Sequence, residues 1–150
     1  MKKYIIRVFL VIILYFFASN LYADVCGYKE LKKINFIREN QTIAQFDSGV
    51  ADNEDLRTRG LMFCNSLKKG TGLFFIFDFP ASKAFWMKNT SIPLGLIFVS
   101  ADLKVLSVQH GIPFSLEHIV EQEPVKFVLE VNHDESLKIQ KGDRISIGNL

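Results

Sequence analysis

The sequence predicts an α+β fold, in which two short helices accompany a compact, mostly antiparallel β-sheet that is curled or barrel-like. Two observations predict it. Most of the chain after residue 24 consists of short segments that alternate apolar and polar residues or are apolar throughout, as strands are. Helical spacing occurs only near each end of that region, and runs of strands with separate helices are typical of α+β domains.

The first 23 residues predict a secretory signal peptide. Three basic residues precede an uncharged apolar run from Val8 to Ala18, and small or mildly polar residues lead to Ala23. This run has 11 residues, whereas a helix needs roughly 20 to cross the hydrocarbon core. We therefore expect a cleaved leader at 1–23 and one domain at 24–150, in an exported protein that is periplasmic or secreted. An uncleaved leader is the alternative, and it would be the only attachment to a membrane.

The charge balance argues against a broad basic surface. The chain has 18 Lys and Arg against 16 Asp and Glu, and the leader contains three of the basic residues and none of the acidic ones. The expected mature domain is therefore close to neutral, with 15 basic and 16 acidic residues. Binding to nucleic acid requires clustered positive charge, so no nucleic acid partner is expected.

The chain has two cysteines, Cys26 and Cys64. An even number in an exported chain predicts a disulfide, because the compartment outside the inner membrane is oxidising. The bond would close a loop of 39 residues, which stabilises a fold by roughly 4 kcal/mol on the chain-entropy model. The other interpretation is a reactive thiol at Cys64, with Lys68 and Lys69 near enough in sequence to favour the thiolate.

The first predicted elements are a hairpin and a helix. The segments KINFIR and TIAQFDSGV alternate apolar and polar residues on either side of the turn ENQ. Helical spacing begins in ADNEDLRTRGLMF, where Asp52 caps the helix and acidic residues occupy its first turn. Leu56, Gly60 and Phe63 share the predicted inner face of this helix.

The remaining predicted elements are strands and a second helix. TGLFFIFDF is apolar on both faces, which indicates a central strand buried on both sides or lining a barrel, and Pro80 ends it. LGLIFVS and KVLSVQ form a second hairpin, and the polar connection EQEP separates it from the strand KFVLEV. Asn132 caps a short helix that Gly142 ends, and DRISIG is the last strand.

The stretch AFWMKNTSIPLG places the only tryptophan beside polar residues. Trp86 with Lys88, Asn89, Thr90 and Arg59 would form a concave surface that suits a carboxylate, a phosphate or a sugar, because it combines two cations, neutral donors and an indole. The alternative is structural. In that case Trp86 closes the end of the sheet, while Asn89 and Thr90 bond the backbone of a turn.

Two further side chains are candidates for chemistry. Glu130 lies in an apolar strand, and it is either a buried carboxylate paired with Arg59 or Lys88 or a solvent-facing residue. His110, at a strand end, is the histidine best placed for a site. The three histidines form no HxH or HxxxH pair, so no metal is expected, and the sequence has no glycine-rich phosphate loop or dinucleotide fingerprint that would predict a cofactor.

Several blocks of sequence, taken in order, resemble the family known as domain of unknown function 192. They are RGLMF, GLFFIF, FWMKNTSIPL, KFVLEV and KGD, and the resemblance extends from about Asn35 to Ile147. It implies a compact, β-rich single domain, often exported or membrane-associated, without an established activity, substrate or cofactor. The family usually has an arginine where this chain has Cys64, and an aspartate where it has Gly95. A family site that uses either residue is therefore altered here.

Two classes of function remain. The first is a non-catalytic module that binds a small polar or anionic ligand, or an envelope protein, near Trp86–Thr90 and Arg59. The second is a cell-envelope hydrolase or transferase that acts on a polar or saccharide substrate, with Glu130 or His110 as general base. Lys88 or Arg59 would hold an anionic group of that substrate. The sequence contains no complete catalytic constellation, which favours the first class.

Overall fold

The computed structural model of the protein describes residues 25–149. The predicted leader at 1–23 lies outside the described residues. Within them the chain forms seven strands and two short helices. In chain order these are β1 (Leu31–Arg38), β2 (Gln41–Ala51), α1 (Glu54–Arg59), β3 (Thr71–Phe85), β4 (Leu94–Val99), β5 (Val105–Gly111), β6 (Ile119–Asn132), α2 (His133–Ser136) and β7 (Arg144–Asn149). Neither helix is long and apolar enough to span a membrane.

All seven described strands belong to one sheet, in the order β5-β4-β6-β3-β2-β1-β7. Between residues 25 and 149, β2 and β3 form the one parallel pair, and α1 lies in the connection between them. The sheet is open, but it curls until Lys104, just before β5, and Arg144, at the start of β7, form an isolated antiparallel bridge. The predicted α+β class with a curled, mostly antiparallel sheet is confirmed, and the curl stops short of a closed barrel.

The first hairpin forms as predicted. β1 and β2 pair antiparallel, and Arg38 lies opposite Gln41. The two residues between them, Glu39 and Asn40, both have positive φ, at 50° and 62°. A two-residue turn of this kind matches the right-handed twist of the strands that it joins. The turn therefore fixes the register of the hairpin.

Both faces of the sheet are buried at its centre. Phe74 and Phe75 are neighbours on β3 and belong to two different apolar clusters, one on each face, with exposures of 0% and 1%. The cluster of Phe75 includes Tyr28 and Leu61, which lie outside the sheet. Because β3 is covered on both sides, its first half is apolar without alternation, as predicted for a central strand.

The first helix is shorter than predicted and has a different cap. Its N-cap is Asn53, not Asp52, because the Asn53 side chain accepts a hydrogen bond from the Leu56 amide at 3.0 Å. The helix ends before Gly60, whose φ is 50°. Phe63 was predicted on the inner face, but it lies beyond this end and is 77% exposed.

Pro80 does not end β3, contrary to the prediction. The strand continues to Phe85, with an irregular register between Ile76 and Ala81. Proline is tolerated here because β2 ends opposite Phe75, so no further strand on that side requires a backbone amide. The segment EQEP, predicted as a connection, lies in β6 opposite this distal half of β3.

The second helix has four residues, His133–Ser136, and ends well before Gly142. Asn132 precedes it as predicted, but the Asn132 side chain makes no cap hydrogen bond. Its Nδ2 atom donates instead to the Leu67 carbonyl at 3.0 Å and to the Glu135 carboxylate at 3.1 Å. The polar residue at this position therefore joins α2 to the loop before β3.

A disulfide joins Cys26 to Cys64, as predicted, with the two Cα atoms 5.7 Å apart. No free cysteine remains among the described residues. In this bonded form Cys64 has no thiol, so the reactive-thiol interpretation does not apply to it. The bond ties the segment before β1 to the loop that follows α1.

The KGD block attaches β7 to β1. The Asp143 carboxylate is 1% exposed and accepts hydrogen bonds from Arg38 Nε at 2.7 Å and Arg38 Nη2 at 2.8 Å. It also accepts one from the Gln140 amide at 2.9 Å. Burial by itself raises the pKa of Asp143, but these donors outweigh burial and hold the pKa below its ordinary value. This carboxylate is a structural one.

Candidate functional site

A cavity of about 680 Å³ lies beside the distal half of β3, where β2 has ended. We call it the β3 pocket. Residues of α1 and the loop after it line one part, and β3 from Phe75 onward, with Trp86 just beyond the strand, lines another. Six charged or ionisable side chains line it, which are Glu54, Arg57, Arg59, Asp78, Lys83 and Glu130. We refer to Arg57, Arg59 and Lys83 as the cationic rim.

Glu130 is the buried acid of the β3 pocket. It lies on β6 between Leu73 of β3 and Leu96 of β4, and it shares their face of the sheet. It is 4% exposed, and within residues 25–149 no donor and no cation pairs with its carboxyl. Burial raises its pKa to about 8. The predicted pairing with Arg59 or Lys88 is not formed, and the solvent-facing interpretation is wrong.

The protonation state of Glu130 follows from this environment. Because the pKa of about 8 lies above neutral pH, the carboxyl is mostly protonated at pH 7. A neutral carboxyl can donate one hydrogen bond and accept others. Buried polar groups are nearly always hydrogen-bonded, and one left unsatisfied costs about 1–3 kcal/mol. Glu130 thus brings an unused donor and acceptor into the β3 pocket.

Arg59 is held at the pocket by the segment before β1. Its guanidinium lies over the Tyr28 ring, 4.2 Å from the centroid, and its Nη2 donates to the Cys26 carbonyl at 2.8 Å. The Tyr28 hydroxyl donates in turn to the Gly60 carbonyl at 2.8 Å. Burial raises the pKa of Tyr28, and the nearby Arg59 offsets part of that rise. The disulfide at Cys26 therefore supports the side chain that carries one rim cation.

Arg57 and Lys83 complete the cationic rim, and sequence analysis singled out neither. Arg57 Nη1 donates to the Asp52 and Ile76 carbonyls, both at 2.8 Å, so the guanidinium caps the edge of β3 where β2 ends. Lys83 Nζ lies 4.3 Å from the Phe77 ring centroid and makes no ion pair within the described part of the chain. Lys83 escaped notice because the strand was predicted to end at Pro80.

The tryptophan stretch is part wall and part turn. Met87 points inward and is 1% exposed, whereas Trp86 lines the β3 pocket and is 43% exposed. Thr90 is buried and also lines the pocket, and its Oγ1 donates to the Lys88 carbonyl at 3.1 Å. Trp86 therefore does not close the end of the sheet. The turn role predicted for Thr90 coexists with its place in the pocket wall.

Lys88 and Asn89 do not line the pocket. The Lys88 ammonium lies 5.0 Å from the centroid of the Trp86 ring, which is a cation–π contact on the outer side of the stretch. Asn89 has a φ of 54°, a conformation that Asn tolerates better than most residues, and its carbonyl accepts from the Phe63 amide at 2.9 Å. Asn89 thus lies in a turn, but its side-chain Nδ2 donates to Met62 Sδ at 4.0 Å and not to the turn backbone, as the structural alternative required.

His110 is separate from the β3 pocket. It lines a different cavity of about 390 Å³, and its ring centroid is 4.4 Å from that of His133. Burial, and then the neighbouring His133, lower the pKa of His110. The structure thus brings together Arg59, Trp86, Thr90 and Glu130, and leaves His110 elsewhere. Residues 25–149 contain no cluster of three potential metal ligands.

Gly95, where the family resemblance led us to expect aspartate, is closely packed. A Cβ atom at this position would lie 2.1 Å from Ser136 Oγ, a separation that real Cβ atoms essentially never show. The glycine therefore allows α2 to rest directly on β4. With Cys64 in a disulfide, both departures from the family pattern have structural roles in this chain.

Comparisons with known proteins agree with this fold. The model of the DUF192 family, described as "Uncharacterized ACR", matches residues 35–147. A protein of unknown function from Novosphingobium aromaticivorans DSM 12444 has a similar crystal structure, with 28% identity, a TM-score of 0.73 and coverage of 77% of this chain and 84% of that one. A "putative transcription regulator" from Sinorhizobium meliloti 1021 is similar with 27% identity, a TM-score of 0.75 and coverage of 80% and 95%. The comparison with curated proteins finds no match.

Proposed function

Because the chain belongs to the DUF192 family, which is described only as uncharacterised, we propose its function from the β3 pocket: a non-catalytic binding module of the cell envelope for a small ligand with an anionic group. The observation that carries this proposal is the buried, unpaired carboxyl of Glu130 inside a cavity of about 680 Å³. Ligand sites commonly enclose 300–1,000 Å³, with mostly apolar walls and a few converging polar groups.

The charges around the pocket favour an anion. The cationic rim supplies three positive charges, and Glu54 and Asp78 supply two negative ones, while Glu130 is mostly neutral at pH 7. The lining therefore carries an excess of one positive charge. Lys83 has no acidic partner among the described residues, so its ammonium is available to a carboxylate or phosphate.

Export is part of the same proposal. The disulfide between Cys26 and Cys64 suits an oxidising compartment, where such bonds persist. The leader-like sequence at 1–23 points the same way. Mass spectrometry of the protein recovered from the cell envelope tests this directly, because a processed chain would begin near Asp24 and a retained leader would add 23 residues.

An envelope hydrolase or transferase is the second candidate, and one observation favours it. A carboxyl that stays protonated near neutral pH because apolar surroundings bury it has the property of a general acid. The general base that such a reaction would also need is not supplied by His110, which lines a different cavity. The binding module is therefore the better-supported function.

The experiment is a ligand screen of the purified protein by intrinsic fluorescence and thermal shift. Trp86 is the only tryptophan and lines the pocket, so its emission reports occupancy without a label. Anionic metabolites, sugar acids and phosphates are tested first. A true ligand moves both signals, and Lys83→Gln weakens its binding about tenfold, the value of one charge-assisted hydrogen bond. His110→Gln is the matched control, since it removes an ionisable group from a different cavity.

Three other results would contradict the proposed binding function. If no anion shifts the emission or the melting temperature, the pocket is not an anion site. If a ligand binds Lys83→Gln and wild type equally but loses affinity in His110→Gln, the site is the other cavity. Turnover of any bound compound, lost in Glu130→Gln with the fold intact, would establish the enzyme instead.

A further inference from the structure

Glu130 is unusual because its two cross-strand neighbours are apolar. Leu73 and Leu96 flank it on the same face of the sheet, and Val128, two residues earlier on β6, belongs to the apolar cluster there. A leucine at position 130 would fit this pattern and would avoid the desolvation of a carboxyl. Packing therefore gives no reason for an acid at this position, whereas its place in the lining of the β3 pocket does.

No group within residues 25–149 satisfies the carboxyl. The segment before β1 brings Tyr28 and α1 brings Arg59, but the Tyr28 hydroxyl donates to backbone carbonyls, and Arg59 lies over Tyr28 and bonds Cys26. Arg57 is bonded to two carbonyls, and Lys83 rests over a phenyl ring. The remaining acids of the lining are Glu54 and Asp78, and the raised pKa of Glu130 comes from its burial rather than from their charges.

We propose that the neutral carboxyl of Glu130 donates a hydrogen bond to an uncharged oxygen, a hydroxyl or carbonyl, at the inner end of a ligand whose anionic end lies at the cationic rim. This inference rests on the function proposed above and names the ligand class: a small hydroxy acid or oxo acid with an apolar body. The body lies against aromatic side chains, because Phe75, Phe85 and Trp86 all line the β3 pocket.

An amine at the inner end is the contrasting case. An ammonium would require Glu130 to ionise, which its burial opposes, and the three acids and three cations of the lining would then only balance each other. The face of one pocket ring is also occupied by a protein cation, since Lys83 lies over Phe77. The surroundings of the carboxyl therefore favour an acceptor over a cation.

Three benzoates that differ only at the para position test the inference. They are 4-(hydroxymethyl)benzoate, which carries a neutral oxygen, 4-ethylbenzoate, which is apolar, and 4-(aminomethyl)benzoate, which is cationic. Binding to wild type, Glu130→Gln and Glu130→Leu is measured by calorimetry, and melting curves show that each variant is folded. In wild type the hydroxymethyl compound binds roughly fivefold to tenfold tighter than the ethyl compound, which is the value of one net hydrogen bond.

The two variants and the pH dependence test whether the Glu130 side chain is the hydrogen-bond donor to the ligand oxygen. Glu130→Gln keeps a donor and retains the preference, whereas Glu130→Leu loses it. In wild type the preference shrinks as pH rises past about 8, because the ionised carboxylate has no hydrogen to donate. In Glu130→Gln the preference is the same from pH 6 to pH 9, since the amide does not titrate there.

Three results would overturn the inference. A preference for the aminomethyl compound that disappears in Glu130→Gln would make Glu130 an anionic partner for amines. Equal affinity for the hydroxymethyl and ethyl compounds would mean that no ligand oxygen reaches the carboxyl. Both results leave the anion site itself in place. Failure of all three acids to bind would instead refute the proposed function together with the inference.

Discussion

Replacing Glu130 with glutamine should stabilise the protein, and by an amount that depends on pH. The two side chains have nearly the same shape, but glutamine cannot ionise. In the unfolded chain the Glu130 carboxyl titrates at its ordinary pKa of 4.5, whereas in the folded protein burial raises the pKa to about 8. Between these values the unfolded chain has released the proton and the folded protein still holds it. Wild-type stability therefore falls as pH rises through this window.

The size of the effect follows from the difference between the two pKa values. They differ by 8 − 4.5, or 3.5 units, and each unit corresponds to about 1.4 kcal/mol. Relative to acidic solution, wild type thus loses about 3 kcal/mol at pH 7 and about 5 kcal/mol above pH 8. Glu130→Gln does not undergo this loss. The free energies of unfolding should be similar at pH 4.5, and the variant should be more stable by about those amounts at pH 7 and pH 9.

Urea unfolding at pH 4.5, 7 and 9, followed by Trp86 fluorescence, measures the effect. The difference between the two proteins is the informative quantity, because every other titrating group is common to both and cancels. Equal urea slopes would show that the comparison concerns the folded state. A gap that stays constant across the three pH values would refute the argument, since it would mean that Glu130 titrates normally in the folded protein.

Three further changes test other parts of the structure. Asp143→Asn should destabilise the protein by about 2 kcal/mol near neutral pH. The difference in unfolding free energy from wild type should narrow as pH falls below 3.8 and through the lowered pKa of Asp143, because protonated wild type loses the same interaction. Unfolding curves recorded at acidic pH measure this difference. Replacing Cys26 and Cys64 together by serine should cost roughly 4 kcal/mol and should abolish the sensitivity of the melting temperature to a reducing agent, which a melt with and without dithiothreitol decides. Gly95→Ala should lower stability by about 3 kcal/mol, because the new methyl group meets Ser136. Adding Ser136→Gly should restore most of that loss, and a failure to restore it would show that the clash is not with Ser136.

The fold was predictable where the controlling signal is local. Apolar alternation placed the first hairpin, and its turn at Glu39–Asn40 lies within the predicted ENQ. The disulfide was predictable from cysteine number and expected compartment. The position where α1 ends was not predictable, because periodicity alone does not show where a helix stops. The helix ends at Gly60, and Phe63 beyond it is exposed to solvent.

The site was predictable only in part, because it depends on which strands are neighbours. Alternation suggested that Glu130 faced solvent, but β6 lies between β3 and β4 and both of its faces are covered there. A proline such as Pro80 predicts a strand end unless its position needs no backbone amide. Here none is needed, because β2 ends opposite Phe75, and that depends on which strands are neighbours rather than on local sequence. The same misplacement concealed Lys83. Arg59 and Trp86 were predicted as site residues because each lies in a distinctive local sequence, RGLMF for Arg59 and FWMKNTSIPL for Trp86.

The support of Arg59 has a consequence for when the pocket is complete. The guanidinium rests on the Tyr28 ring and bonds the carbonyl of Cys26, in a segment that the disulfide to Cys64 joins to the loop after α1. In a freshly synthesised chain, before oxidation, that segment is attached only through its own backbone and non-covalent contacts. If the pocket binds the proposed anion, the reduced chain would therefore bind it more weakly than the oxidised protein. Binding would thus be coupled to maturation, and ligand present in a reducing compartment would not be captured early.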